Sequence, residues 1–252
     1  MSGNRFSVIY ITLAILLVVS MFLSVRVGAV NVSYSKILQF VSAAVTGQAT
    51  PAEDRVASGV FFQIRLPRVF LCAFVGAALA MSGTLMQALF RNPIVEPGLA
   101  GTSAGAAFGA ALVFVLGRNI PAEYSMLLGS FLMPCVAFVF SFATTMIVYR
   151  VSSLFGKVTV ATMILAGVAM NAIAGAGTGF LAYIARDPQA RSITFWSLGT
   201  FTAADWSQTC VVGIVTLVGF VAALRYAKQL NALLLGEAEA MHLGIDTEPS
   251  SR

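Results

Sequence analysis

Residues 65–105 read RLPRVFLCAFVGAALAMSGTLMQALFRNPIVEPGLAGTSAG. Arg65 and Arg68 stand before an apolar run from Val69 to Phe90. That run is long enough to cross a bilayer, which takes about 20 residues of helix. Ser82, Gly83 and Gln87 lie inside it, and Arg91-Asn92-Pro93 closes it. A helix that only anchors a chain in lipid gains nothing from such groups. A helix that lines a path, or moves against its neighbours, uses them.

Composition agrees. Apolar residues make up 58% of the 252-residue chain and charged residues 10%, with a mean hydropathy of +0.89. Soluble domains average about 45–50% and 25%. The expected class is all-α, a polytopic helical membrane protein. A soluble all-α core would need polar helix faces, and long stretches here have none. A net charge of +5 would suggest nucleic acid for a soluble protein; here the basic residues sit at span ends, and no nucleic-acid partner is expected. Cys72, Cys135 and Cys210 fall inside apolar segments without metal-like spacing and read as reduced packing residues. The run Phe6–Val25 exceeds the roughly 7–15 residues of a signal-peptide core, so it reads as a retained first span.

Six spans are expected, near 6–26, 69–90, 97–117, 124–149, 158–185 and 207–226. Residues 28–63 form a soluble stretch in which Ile37, Leu38, Phe40, Val41 and Val45 mark a short amphipathic helix, lying on the membrane surface or on the protein. The third span opens with Glu96-Pro97-Gly98, proline suiting a first helical turn. It continues as Gly101-x3-Gly105-x3-Gly109, a strip of small residues that lets another helix approach closely. Pro134 is expected to kink the fourth span. Asn171, Gly175, Gly177 and Gly179 make the fifth too irregular for a passive anchor. Residues 186–206 read as an extramembrane loop with a short helix and two interfacial tryptophans, Trp196 and Trp206. The polar stretch 228–246 carries a second short helix flanked by Gly236 and Gly244, and the chain stops soon after, as an interrupted protein would. With a cytoplasmic N-terminus, seven basic residues fall inside and eight outside. The positive-inside rule therefore does not set the orientation.

Enzyme chemistry is not visible. The one histidine, His242, has no partner residues of a catalytic set, and no paired carboxylates lie within a span. Proton or sodium coupling would place ionisable groups at mid-depth. Gly156-Lys157 is followed by Val158 and lacks the upstream glycine of a phosphate loop. No catalytic residue, cofactor or metal is expected, and any ATP hydrolysis belongs to another chain.

A series of motifs carries a resemblance. In order they are Arg65-Leu66-Pro67-Arg68, then Gly76-Ala77-Ala78-Leu79-Ala80-x-Ser82-Gly83-x3-Gln87, and then Asn92-Pro93-x3-Pro97-Gly98-x2-Gly101-x3-Gly105. Leu165-Ala166-Gly167-Val168-Ala169, Phe195-Trp196-x2-Gly199-x-Phe201 and Leu235-Gly236-Glu237-x2-Ala240-x2-Leu243-Gly244 follow. Together they resemble the permeases of iron-siderophore, haem and cobalamin ABC importers, the FecCD/BtuC-like family, over nearly all of residues 28–246. The resemblance implies a roughly ten-helix permease, of which about six helices lie here, in a single transmembrane domain (residues 1–252). It implies a homodimer with a second permease copy, cytoplasmic ATPase subunits, an outer-face substrate-binding protein, and a multi-pass location in the cytoplasmic (inner) membrane of a bacterium.

Residue by residue, the resemblance places 28–63 on the outer face. It assigns Arg65 and Arg68, with Arg186 and Arg191 on the same side, to docking the binding protein. A guanidinium fork suits carboxylates there. Asn92, Pro93 and Ile94 match the cytoplasmic gate, and Gly236, Glu237, Ala240, Leu243 and Gly244 match the loop (228–246) that couples to the ATPase. Gln87 and Asn171 either face the path or hydrogen-bond between helices. The implied function is import of an iron complex, a ferric siderophore or haem, by alternating access driven by the partner ATPase. Cobalamin is the alternative substrate, and an ion-coupled secondary transporter the alternative class. Lacking its remaining spans, the chain alone is expected not to transport.

Overall fold

The structure is a computed structural model and describes residues 3–28, 30, 32–48, 51–117, 129–153 and 160–235. All regular elements among these residues are helical. They are α1 (Gly3–Arg26), α2 (Tyr34–Thr46), α3 (Arg55–Gly59), α4 (Leu66–Phe90), α5 (Thr102–Leu116), α6 (Leu132–Ser153), α7 (Val160–Ile184), α8 (Asp187–Leu198) and α9 (Trp206–Leu235). Short 3-10 turns stand at Ala52–Asp54, Pro97–Ala100 and Gly129–Phe131.

Among the described residues five helices are long and apolar enough to cross a membrane, with α5 shorter. Their apolar surface is largely uncovered; even in α6 and α7 only 17% of the most apolar window is buried. Water does not tolerate so much exposed hydrocarbon, and lipid does. The chain is a multi-pass helical membrane protein.

Two compact units divide it, one of residues Met1–Ala78 and Phe201–Phe220, the other of Leu79–Thr200 and Val221–Arg252. The divisions fall inside α4, between α8 and α9, and inside α9.

α3, a π-helical turn at Val60–Arg65 and α4 run without a break from Arg55 to Phe90. The second span therefore begins well before residue 69. Pro67 sits inside this helix, where its ring would strike the Gln63 carbonyl of a straight α-helix. The wider turn ahead of it relieves the conflict, the Leu66 N–H reaching back to the Phe61 carbonyl. Phe40 of α2, Val25, Val32, Phe61 and Val69 form the local core, with Ile37 packed against it. The inner side of the expected amphipathic helix therefore rests on protein. Its ends are marked by Ser33, whose hydroxyl accepts from the Lys36 N–H, and by left-handed Gly47 at φ 69°.

In the second unit α5 packs on α6 along the small-residue strip. A Cβ on Gly109 would stand 2.9 Å from the Phe140 Cβ and 3.0 Å from the Val136 carbonyl oxygen. Gly105 is as tightly faced by Thr144 and the Phe140 carbonyl. Ala111, Leu181 and Ile193 join α5, α7 and α8 in a second core.

Three expectations change. The third span is not one helix from 97: Gly101, at φ 84°, separates the Pro97–Ala100 turn from α5, because a left-handed residue cannot propagate an α-helix. Pro134 lies in the first turn of α6, where its missing N–H would have had no intrahelical partner, so it helps start the helix rather than kink it. The sixth span runs on to Leu235. Residues 228–235, expected as loop, contain no Gly or Pro to stop it and are rich in Leu.

Candidate functional site in the turn between two helices

The end of α4 is built as a Schellman motif. Arg91 takes the left-handed position at φ 49°. Its N–H reaches the Ala88 carbonyl at 3.4 Å, and the Asn92 N–H reaches the Gln87 carbonyl at 3.2 Å. The carboxamide oxygen of Asn92 accepts from the Ile94 N–H at 3.0 Å, an Asx turn. Gln87 donates its Nε2 to the Pro93 carbonyl at 3.1 Å. Gln87, Asn92, Pro93 and Ile94 are thus brought together. They form one self-bonded turn that projects Ile94, 81% exposed. Gln87 spends its amide on that turn.

Residues 97–101 are wedged between α6 and α7. Asn171 Nδ2 donates to the Gly98 carbonyl at 3.2 Å. Gly167 lies so close to the Leu99 carbonyl that a Cβ would overlap it. Thr144 Oγ1, buried, donates to the Gly101 carbonyl at 3.0 Å. Each of these carbonyls also accepts a backbone N–H, Gly98 from Gly101 at 3.1 Å and Gly101 from Gly105 at 2.9 Å, so the side-chain donors use second lone pairs and tie the break to α6 and α7. Asn171 thus bonds from one element to another, and its Oδ1 is buried without a partner. Beside the turn Met86, Phe90, Val95, Leu99, Met163 and Ile164 line an apolar cleft of about 10 Å³, room for about one water and far below the ~300–1,000 Å³ of small-molecule sites.

Arg65 is only 8% exposed. Its Nη1 donates to the Val25 carbonyl at 2.7 Å and to the Arg26 carbonyl at 2.8 Å, and its Nη2 to the Val30 carbonyl. The fork caps the C-terminal end of α1, where unsatisfied carbonyls favour a cation. The expectation that Arg65 meets carboxylates of an outer partner is corrected on this point, since its donors are turned inward. Arg68 donates Nε to the Phe201 carbonyl at 3.0 Å and Nη2 to the Thr202 carbonyl at 3.1 Å. Thr209 Oγ1 donates to the Pro67 carbonyl at 3.1 Å, and the Trp206 indole N–H to the Phe62 carbonyl at 2.8 Å. The Arg-Leu-Pro-Arg motif thus ties down both the end of α1 and the start of α9.

Arg186 and Arg191 remain exposed on α8 and the residue before it; Arg191 pairs with Asp187 at 3.1 Å. Exposed pairs of this kind hold weakly, at about 0.3–0.5 kcal/mol. The expected coupling residues Gly236, Glu237, Ala240, Leu243 and Gly244 lie outside the described residues.

Residues 16–251 match the model of the FecCD transport family. The chain belongs to that family. Among relatives of this FecCD chain, it is 42% identical over 190 residues to the hemin transport system permease protein HmuU of Yersinia pestis, covering 74% of this chain and 54% of that one. It is 32% identical over 251 residues to the molybdate import system permease protein MolB of Haemophilus influenzae, covering 99% and 70%. It is 34% identical over 224 residues to the cobalamin import system permease protein BtuC of Halobacterium salinarum, covering 89% and 55%. A solved ABC transporter, described as of metal-chelate type and inward-facing, superposes with a TM-score of 0.74 at 30% identity, covering 96% of this chain and 69% of that one. The FecCD chain thus spans about half the length of two of these curated relatives.

Sequence reasoning missed two of the residues that hold the turn. Thr144 is one of many hydroxyls in apolar helices, and nothing local marks it. Gly167 stood inside a quoted motif, but its close approach to Leu99 is visible only in three dimensions.

Proposed function

We propose that this chain is the membrane permease of an ABC importer for an iron complex, haem first, in the cytoplasmic membrane of a bacterium. The observation that carries the reading is the 42% identity to a haemin permease within a family match over residues 16–251. It is supported by the absence of Asp and Glu from the sequences of α1, α4, α5, α6, α7 and α9. Coupling to protons or sodium places carboxylates at that depth.

In this reading a binding protein delivers the chelate to the outer face, where Arg186 and Arg191 meet its carboxylates. The substrate passes between this permease and a second copy. On the inner side the Asn92-Pro93-Ile94 turn closes the path, and the segment from Gly236 to Gly244 seats on an ATPase. ATP hydrolysis on that separate chain moves the helices between outward- and inward-open states. The wedged turn at Pro97–Gly101 keeps α5 with α6 and α7 as they move.

Uptake of labelled haem, a ferric siderophore, cobalamin and molybdate, in cells making the permease with the ATPase and binding protein encoded beside it, tests the substrate. Haem accumulation is expected. Accumulation of cobalamin or molybdate in its place would overturn the substrate assignment and leave the importer class standing.

A further inference from the structure

Helix α2 has three distinct faces, and only one is accounted for by the protein. Ile37 and Phe40 pack inward against Phe61 and its neighbours. Ser35, Gln39, Ser42 and Thr46 form a second row at helical spacing, wholly polar, uncharged and exposed. Tyr34, Leu38, Val41 and Val45 form a third row, spaced four, three and four residues apart, apolar and exposed. Leu38 is 71% and Val45 82% open. A helix with one apolar face on protein needs no second one unless something apolar covers it.

The start of that row is fixed in depth. α1 is an apolar span that ends at Arg26, and the Arg26 guanidinium lies over the Tyr34 ring, 4.7 Å from its centroid. Arginine and tyrosine are residues of the membrane–water boundary. The uncovered row thus begins where the exposed hydrocarbon face of α1 ends, and continues it. Beyond Tyr34 its members are aliphatic, and none carries a charge for a protein partner to complement.

We propose that α2 lies in the bilayer interface, with Tyr34, Leu38, Val41 and Val45 set into lipid, Ser35–Thr46 polar residues facing water, and Phe40 holding the helix to the protein. Membrane lipid, rather than another chain, is the partner of the third face. Such helices bury their apolar side about 5–10 Å into the headgroup and acyl boundary. The inference is independent of what the permease carries.

The test uses the full chain with Cys72, Cys135 and Cys210 replaced by Ser, in phosphatidylethanolamine–phosphatidylglycerol nanodiscs. Single cysteines at Leu38→Cys, Val45→Cys and Ser42→Cys carry an environment-sensitive fluorophore. Val45 is so open that its replacement cannot disturb the core, which keeps the test valid if Leu38→Cys misfolds. Positions 38 and 45 should emit blue-shifted light and lose intensity with lipids brominated near the top of the acyl chain. Position 42 should be quenched by aqueous acrylamide instead. Acrylamide quenching of 38 and 45 without lipid quenching would place the row in water and overturn the proposal. Protection from both quenchers would put a protein on it, a second copy or another partner, and would overturn it equally.

Discussion

Arg65 does its work inside the fold. Its guanidinium serves the Val25, Arg26 and Val30 carbonyls, and removing it leaves buried acceptors unpaired. Hydrogen bonds to charged groups are worth about 1.5–3 kcal/mol each, so Arg65→Ala should cost roughly 3 kcal/mol or more. Arg65→Lys should recover little, because a point charge cannot span the same carbonyls. Melting in detergent checks the first expectation, and hydrogen exchange over residues 26–33 should rise with it. If binding-protein affinity fell while melting and exchange stayed unchanged, Arg65 would be a docking residue after all. Gly167 makes a second case. Gly167→Ala drives a methyl into the Leu99 carbonyl and should destabilise by about 1–3 kcal/mol. Gly175 has open space in its helix, and Gly175→Ala should stabilise by about 0.5–1 kcal/mol. Equal effects of the two on melting temperature would contradict the wedge.

At the scale of the element, the two faces of α2 should respond differently. Phe40→Ala empties a buried site and should cost about 3–5 kcal/mol by detergent melting. Val45→Ala, on the open face, should change melting little. The C-terminal half of α9 gives a further check. Amides of 228–235 should be protected from exchange as far as Leu235, since the helix is continuous there; rapid exchange from residue 227 onward would restore the loop. Elements were legible where hydrophobic length decided them. α1, α4, α6, α7 and α9 follow from runs of apolar residues, and the Gly101-Gly105-Gly109 strip announced the close α5–α6 approach. The misreadings share a cause. Gly101, Pro134 and the run from Ala227 to Leu235 take their meaning from which turn of which helix they occupy, and hydropathy is blind to helix phase and cap geometry. Arg65 was assigned outward for a similar reason: a charge beside a span reads as exposed until the carbonyls that bury it are seen.

For the whole molecule, class and family follow from the sequence, because long apolar runs and ordered motifs survive any detail of packing. Substrate does not. The relatives are named for hemin, molybdate and cobalamin, and the apolar cleft beside the Asn92 turn is far too small to hold a chelate. A permease that passes large chelates between sparse small and apolar groups leaves little in its own sequence to tell them apart. The energy source proposed for it is ATP hydrolysed on a partner chain. The permease reconstituted in proteoliposomes with its ATPase and binding protein, and followed for haem accumulation, tests this most directly. Uptake should require ATP on the ATPase side, stop with vanadate and persist when ionophores collapse every ion gradient. Uptake that proceeds without the ATPase and vanishes with the ionophore would contradict the account.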